Sequence, residues 1–365
     1  MTATIPLHEA LAGEAERRIL TAGEFSASLF RFHTGIAALR LRNARGEVVV
    51  LPWMGGIIWS ARFDGVQLAM QSGFDAPRPA RTIAETYGCF AFHSGLLRNG
   101  VPGPEDDHAP HGEFPCAPMD RAWLELGEEE GELFLRVVSL RDHVMGFGPH
   151  YLAQPSVTLR PSATLFEIGM AARNLSGKPM ELMYMAHINF TFVPGGRCVQ
   201  PAPFTPERTA VRRAVPAHVT PNPAYLALIA SLAADPSRMA TLGEPALYDP
   251  EQVFYLHGLG TDARGETHLM LARPEGDGFG MSYAPAAFPQ TVRWILNDPD
   301  QKVAAFALPS TCQPEGYAAE KRKGHVRLLA PGEEARFAVR TGYLDHAATA
   351  RMDSLIASLP QDPSP

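Results

Sequence analysis

The chain has 365 residues, 45% of them hydrophobic and 19% charged, so it can bury a sizeable core and is not a disordered polymer. Its formal net charge of −7 and the lack of a lysine or arginine cluster argue against nucleic acid or an anionic membrane as main partner. A neutral or weakly charged small molecule is the expected ligand. Met1 to Pro6 has neither a basic start nor an apolar run, and no stretch nears the ~20 apolar residues that span a bilayer, so a cytoplasmic protein is expected. Cys89, Cys116, Cys198 and Cys312 are scattered without a CxxC pair, which suits reduced thiols.

In chain order, Leu7 to Leu20 (LHEALAGEAERRIL) spaces three leucines among charged residues and predicts a short helix. Ala37 to Leu51 alternates as a hairpin turning at Ala44-Arg45-Gly46. Leu133 to Leu140, Ser156 to Leu159, Leu165 to Ala172 and Leu182 to Phe192 read as strands. Pro223 to Ala234, entered through TPNP and stopped at Asp235-Pro236, predicts a second helix. Further strands are expected at His268 to Leu271, Thr291 to Leu296, Val303 to Leu308, His325 to Leu329 and Ala335 to Thr341. His346 to Leu359 closes the chain as a helix with Met352, Leu355 and Ile356 as its apolar stripe, and QDPSP reads as a frayed tail. The 33 prolines and 32 glycines suit many short strands joined by irregular loops, and helices are not regularly interleaved. One all-β domain over 1–365 is expected, an antiparallel β-sandwich with its core at about 35–343 and helical terminal segments.

Three segments could carry chemistry. Phe92 to Cys116 (FHSGLLRNGVPGPEDDHAPHGEFPC) gathers His93, Arg98, Asp106, Asp107, His108, His111 and Glu113 among glycines and prolines, after the apolar run Gly88 to Phe92. Imidazole is the side chain best suited to proton transfer near neutral pH, although a polar loop of paired histidines and carboxylates has the same composition. Glu181 to Phe190 (ELMYMAHINF) places His187 and Asn189 two residues apart, on one face of a strand. Phe306 to Lys323 (FALPSTCQPEGYAAEKRK) delivers Glu315 beside breakers, while Glu320 to Lys323 read as a solvated charged face. His93, His108 and His111 could also hold a metal, but HxH and HExxH patterns are missing, as are a P-loop and a nucleophile elbow.

Taken in order, these segments resemble the aldose 1-epimerase (galactose mutarotase-like) superfamily, in its aldose-epimerase-like branch once labelled a domain of unknown function. The resemblance rests on His93-Ser94-Gly95-Leu96, Gly100-Val101-Pro102, His111-Gly112-Glu113-Phe114-Pro115, His187-Ile188-Asn189-Phe190 and the closing Leu308-Pro309-Ser310-Thr311, Gly324, Leu329 and Pro331-Gly332-Glu333, over about Gly35 to Tyr343. It implies a β-supersandwich with a sugar cleft on a concave face. His187 matches the histidine that protonates the ring oxygen, and His111 matches the loop histidine that binds the sugar. The glutamate that takes the anomeric proton falls on Leu308, which cannot accept one, so Glu315 or Glu113 must replace it. The expected function is an aldose 1-epimerase-like isomerase with His187, His111 and Glu315 catalytic and His93, Arg98, Glu113, Asn189 and Trp294 around the substrate. No cofactor is expected, the partner is a small carbohydrate, and a homodimer is left open. A sugar-binding protein without turnover, or a metal-dependent lyase or isomerase using His93, His108 and His111, are the competing readings.

Overall fold

A computed structural model describes residues 2–215 and 219–360, so the QDPSP tail lies outside the described residues. Two antiparallel sheets, of nine and thirteen strands, make up the body. The strands expected from alternation form, and the hairpin Ala37–Arg42 and Gly46–Leu51 pairs Leu41 with Val48 across the predicted turn. The large core fills the space between the sheets, with Leu182, Tyr184, Ala186 and Ile188 contributed by the strand Met180–Ile188.

That strand is buried on both faces. Its even-numbered side chains enter the inter-sheet core, and the period of two turns Met185 and His187 to the opposite face. There a second apolar layer joins Met185 to Val253, Val292, Leu296 and Leu308, drawn from Gln252–Leu256, Gln290–Asn297 and Lys302–Ser310. These four strands run side by side in the thirteen-stranded sheet and form the floor of a cavity.

Two predicted helices are present. Pro223–Ala234 starts at Asn222, whose side chain accepts the Tyr225 N–H at 2.9 Å, with proline at its first position. His346–Ser358 starts at Asp345, which accepts the Ala348 N–H at 2.9 Å, and packs Met352 and Ile356 against Met270 and Leu344.

The helix expected over Leu7 to Leu20 does not form. Ala3–Leu7 pairs with Arg121–Glu129, a single 3-10 turn covers Glu9–Leu11, and Arg17–Ala22 pairs with Phe25–Arg31. Three leucines and an internal Gly13 give a short isolated helix too little to bury, whereas two sheet edges offer the same backbone a full ladder. The charged run after Glu315 is a seven-residue helix, Tyr317–Lys323, closed by Gly324 in the left-handed region. Its Glu320 is not solvated: fully buried, it accepts the Gln313 N–H at 2.7 Å, Lys323 Nζ at 2.8 Å and His325 Nδ1 at 2.7 Å. All four cysteines are buried free thiols, and no helix among the described residues is long and apolar enough to cross a membrane.

Candidate active site

A cavity of about 600 Å³ lies over that floor, walled by the loop that carries His111 and by the segments around Tyr87, Arg212 and Glu251. His187 rises from the floor strand. Phe92, its cross-strand partner, stacks on the imidazole with ring centroids 4.5 Å apart. His111 meets His187 edge to face at 4.9 Å, and Trp294 closes the other side at 5.7 Å.

Hydrogen bonds fix the tautomer of both imidazoles. The Asn189 amide nitrogen donates to the Cys89 carbonyl, so its oxygen is the atom facing His187 Nδ1 at 2.8 Å. His187 therefore carries its proton on Nδ1, and its Nε2 accepts from the Tyr87 hydroxyl at 3.3 Å. Asn99 donates to Cys312 Sγ, so its oxygen takes the Ser94 hydroxyl proton, and Ser94 Oγ accepts from His111 Nδ1 at 3.0 Å. Among the described residues no donor meets His111 Nε2, whose lone pair is left free. Burial pushes the His111 pKa down to about 4, against the opposing pull of the Glu251 charge. Burial, and then the neighbouring His111, hold His187 well below its ordinary value despite the Asn189 hydrogen bond. Near neutral pH the site thus offers two uncharged imidazoles as proton acceptors, beside a Tyr87 hydroxyl that burial keeps protonated.

Asp249, Glu251 and Asp298 line this cavity, and of these carboxylates Glu251 is the one that acts on the histidine site. It is only 9% exposed, takes Arg212 Nη2 at 2.8 Å and the Trp294 indole N–H, and is close enough for His111 and Tyr87 to feel its charge. Sequence reasoning did not single it out. The signal was present: Glu251 stands two residues before Val253 at the start of Gln252–Leu256, so alternation puts both on the cavity side.

The remaining expected residues are placed as follows. Asn189 sits behind His187, and Trp294 lines the cavity. Leu308 also lines it, and the Met185–Ser310 pairing, continued by two residues, sets Leu308 opposite His187. Glu315 is outside the lining, held by Tyr255 Oη at 2.5 Å and Lys323 Nζ at 2.8 Å. Glu113 is turned away from His111. His111 and Gly112 both adopt left-handed backbone (φ +64° and +83°), and any Cβ on Gly112 would lie 2.0 Å from the Arg98 carbonyl oxygen. That reversal sends Glu113 to the Leu96 and Leu97 N–H groups and to Tyr151 Oη.

His93 faces the inter-sheet core, bonded to Tyr184 Oη at 2.8 Å, with burial lowering its pKa to about 3. Arg98 lies over the Tyr317 ring at 3.7 Å and pairs with Glu181, on the wall of a second cavity that also takes in His108. His93, His108 and His111 are therefore dispersed. Among the described residues, the cluster with metal-ligand spacing is Asp262, Glu266 and His268, elsewhere in the fold.

The sequence profile of a family described as a domain of unknown function, DUF4432, matches residues 33–342. No curated protein matches the sequence. Among solved structures, a Klebsiella pneumoniae protein described as a candidate aldose 1-epimerase superposes with a TM-score of 0.80 at 17% identity, covering 100% of this chain and 97% of its own. A galactose mutarotase-like protein from Clostridium acetobutylicum follows at 0.58 and 11% identity, over 89% and 100% of the two chains. A candidate aldose 1-epimerase from Escherichia coli gives 0.54 and 15%, over 83% and 97%. The likeness establishes the galactose mutarotase-like β-sandwich fold.

Proposed function

Given that the chain belongs to the DUF4432 family, we propose that its large cavity binds an aldose or close derivative and interconverts the anomers by proton transfer through His111. The observation that carries this reading is the convergence of His111, His187 and Glu251 on one cavity roomy enough for a sugar. The mutarotase-like fold supports the substrate class by analogy.

His111 Nε2 takes the anomeric hydroxyl proton as the bond from C1 to the ring oxygen breaks. The imidazolium so formed, its charge balanced by Glu251, gives the proton to the departing ring oxygen. After rotation about C1–C2 the same steps run in reverse on the other face of the aldehyde, and no net proton is consumed. The partners of the two Nε2 atoms favour His111 as the shuttle: its lone pair is free, whereas His187 Nε2 is held by Tyr87. His187 and Tyr87 position a sugar hydroxyl, and Trp294 offers a ring face. Leu308 then needs no catalytic role.

The test is anomer exchange of common aldoses, followed by NMR, with the purified chain. Acceleration by the native protein is expected. His111→Ala should lower kcat by roughly 10²- to 10⁴-fold, the usual worth of a positioned proton carrier. His187→Ala should raise KM as well, because it releases Tyr87. Tight sugar binding without exchange would instead identify a binding protein, the reading that Leu308 opposite His187 favours.

A further inference from the structure

Five of the nine exposed large apolar side chains among the described residues gather at one place: Val144, Met145, Phe147, Leu175 and Leu328. Met145, Phe147 and Leu328 rim the second cavity, of about 790 Å³, while Val144 and Leu175 adjoin it through His150. Phe147 caps a tight hairpin turn, closed by Gly148 N–H to the Met145 carbonyl at 3.1 Å. Its backbone lies in the left-handed region (φ +61°), unusual for a bulky residue, and its ring is fully exposed. A clustered apolar patch with a projecting aromatic marks an interaction surface.

The charges on this face say what covers it. Lys178 and Asp107 stand exposed on the lining of the same cavity, and neither side chain has an ion-pair or hydrogen-bond partner among the described residues. One face thus holds a knob, a hole, a free cation and a free anion. A two-fold axis pairs such a face with itself, because each copy supplies what the other lacks. The geometry points to a homodimer in which Phe147 of each copy enters the other's cavity, and Lys178 of each meets the other's Asp107. His108, Ala109 and Gly112 line this cavity from the loop whose other side presents His111. The partner copy therefore buttresses the wall of the first cavity.

Sedimentation velocity of the full chain at micromolar concentration tests this. The native chain is expected to sediment as a dimer. Phe147→Asn, which suits the left-handed turn and removes only an exposed ring, should raise the dimer dissociation constant at least ~100-fold, as loss of an interface anchor does. Lys178→Asp should also weaken the dimer, and adding Asp107→Lys should restore it. Restoration by the double exchange is a result that a merely misfolded variant cannot give. A native chain that sediments as a monomer, or a dimer indifferent to Phe147→Asn, overturns the proposal; the first result would leave the face to a different partner.

Discussion

Glu251→Gln is expected to lower kcat for anomer exchange by about 100-fold, comparable to removing a preorganised group that stabilises charge in a transition state. The substitution keeps the shape of the side chain and one accepting oxygen, for Arg212 or for the Trp294 indole N–H, and removes the charge. His111 must become an imidazolium for an instant in a site where burial, despite the opposing Glu251 charge, already holds its pKa down to about 4. The Glu251 carboxylate is the opposing influence, and removing it makes that cation costlier. Since ground-state binding of a neutral sugar does not call on that charge, KM should move less than kcat. Glu315→Gln is the matched comparison. Its carboxylate is bound to Lys323 and Tyr255 outside the cavity lining, so a much smaller loss of rate is expected. Equal losses in the two variants would mean that the charge acts through the fold rather than at His111.

The contrast between Glu251 and the two carboxylates raised from sequence shows where reading the chain reached its limit. Strands were legible because a sheet side chain has two choices of face and hydrophobicity declares one of them, as in Leu133 to Leu140 and Leu165 to Ala172. The pair His187 and Asn189 was legible by the same rule, since both lie on one strand or its end. Glu113 was a reasonable candidate by proximity, yet proximity in sequence fails in a loop where two consecutive left-handed residues reverse the chain. Glu251 is 140 residues from His111, and only the pairing of Gln252–Leu256 with Gln290–Asn297 brings it beside Trp294. Registers of that kind depend on non-local strand pairing, which no local pattern encodes. The misplaced helix at Leu7 to Leu20 has the same origin. Its leucine spacing was a local signal, overridden by ladders with strands far along the chain or across a tight turn.

The same buried imidazoles predict a pronounced loss of stability in mild acid. His93 and His111 remain neutral in the folded chain down to about pH 3 and about pH 4, whereas an unfolded histidine protonates at about 6.5. Below pH 6.5 the unfolded state therefore binds protons that the folded state refuses, and stability falls as pH falls, until each folded pKa is reached. At about 1.4 kcal/mol per pH unit, each of these two histidines removes about 2 kcal/mol between pH 6.5 and pH 5. His187, also held well below its ordinary value, adds to the same trend. Against a typical total of ~5–15 kcal/mol, a loss of about 4 kcal/mol or more over that interval is large. Carboxylates such as Asp262 and Asp345, whose pKa values lie below the ordinary 3.8, titrate beneath the interval and do not mask it. Urea unfolding at pH 7.5 and pH 5 should show this difference in midpoint. His93→Gln provides the control, because residue 93 faces the inter-sheet core rather than the cavity. Its stability at pH 7.5 falls through the disturbed bond to Tyr184, but its dependence on pH should be shallower by about 2 kcal/mol over the same interval. A variant with the full native pH dependence would show that His93 can take up a proton without unfolding, and that the inter-sheet layer is wetter around residue 93 than its packing implies.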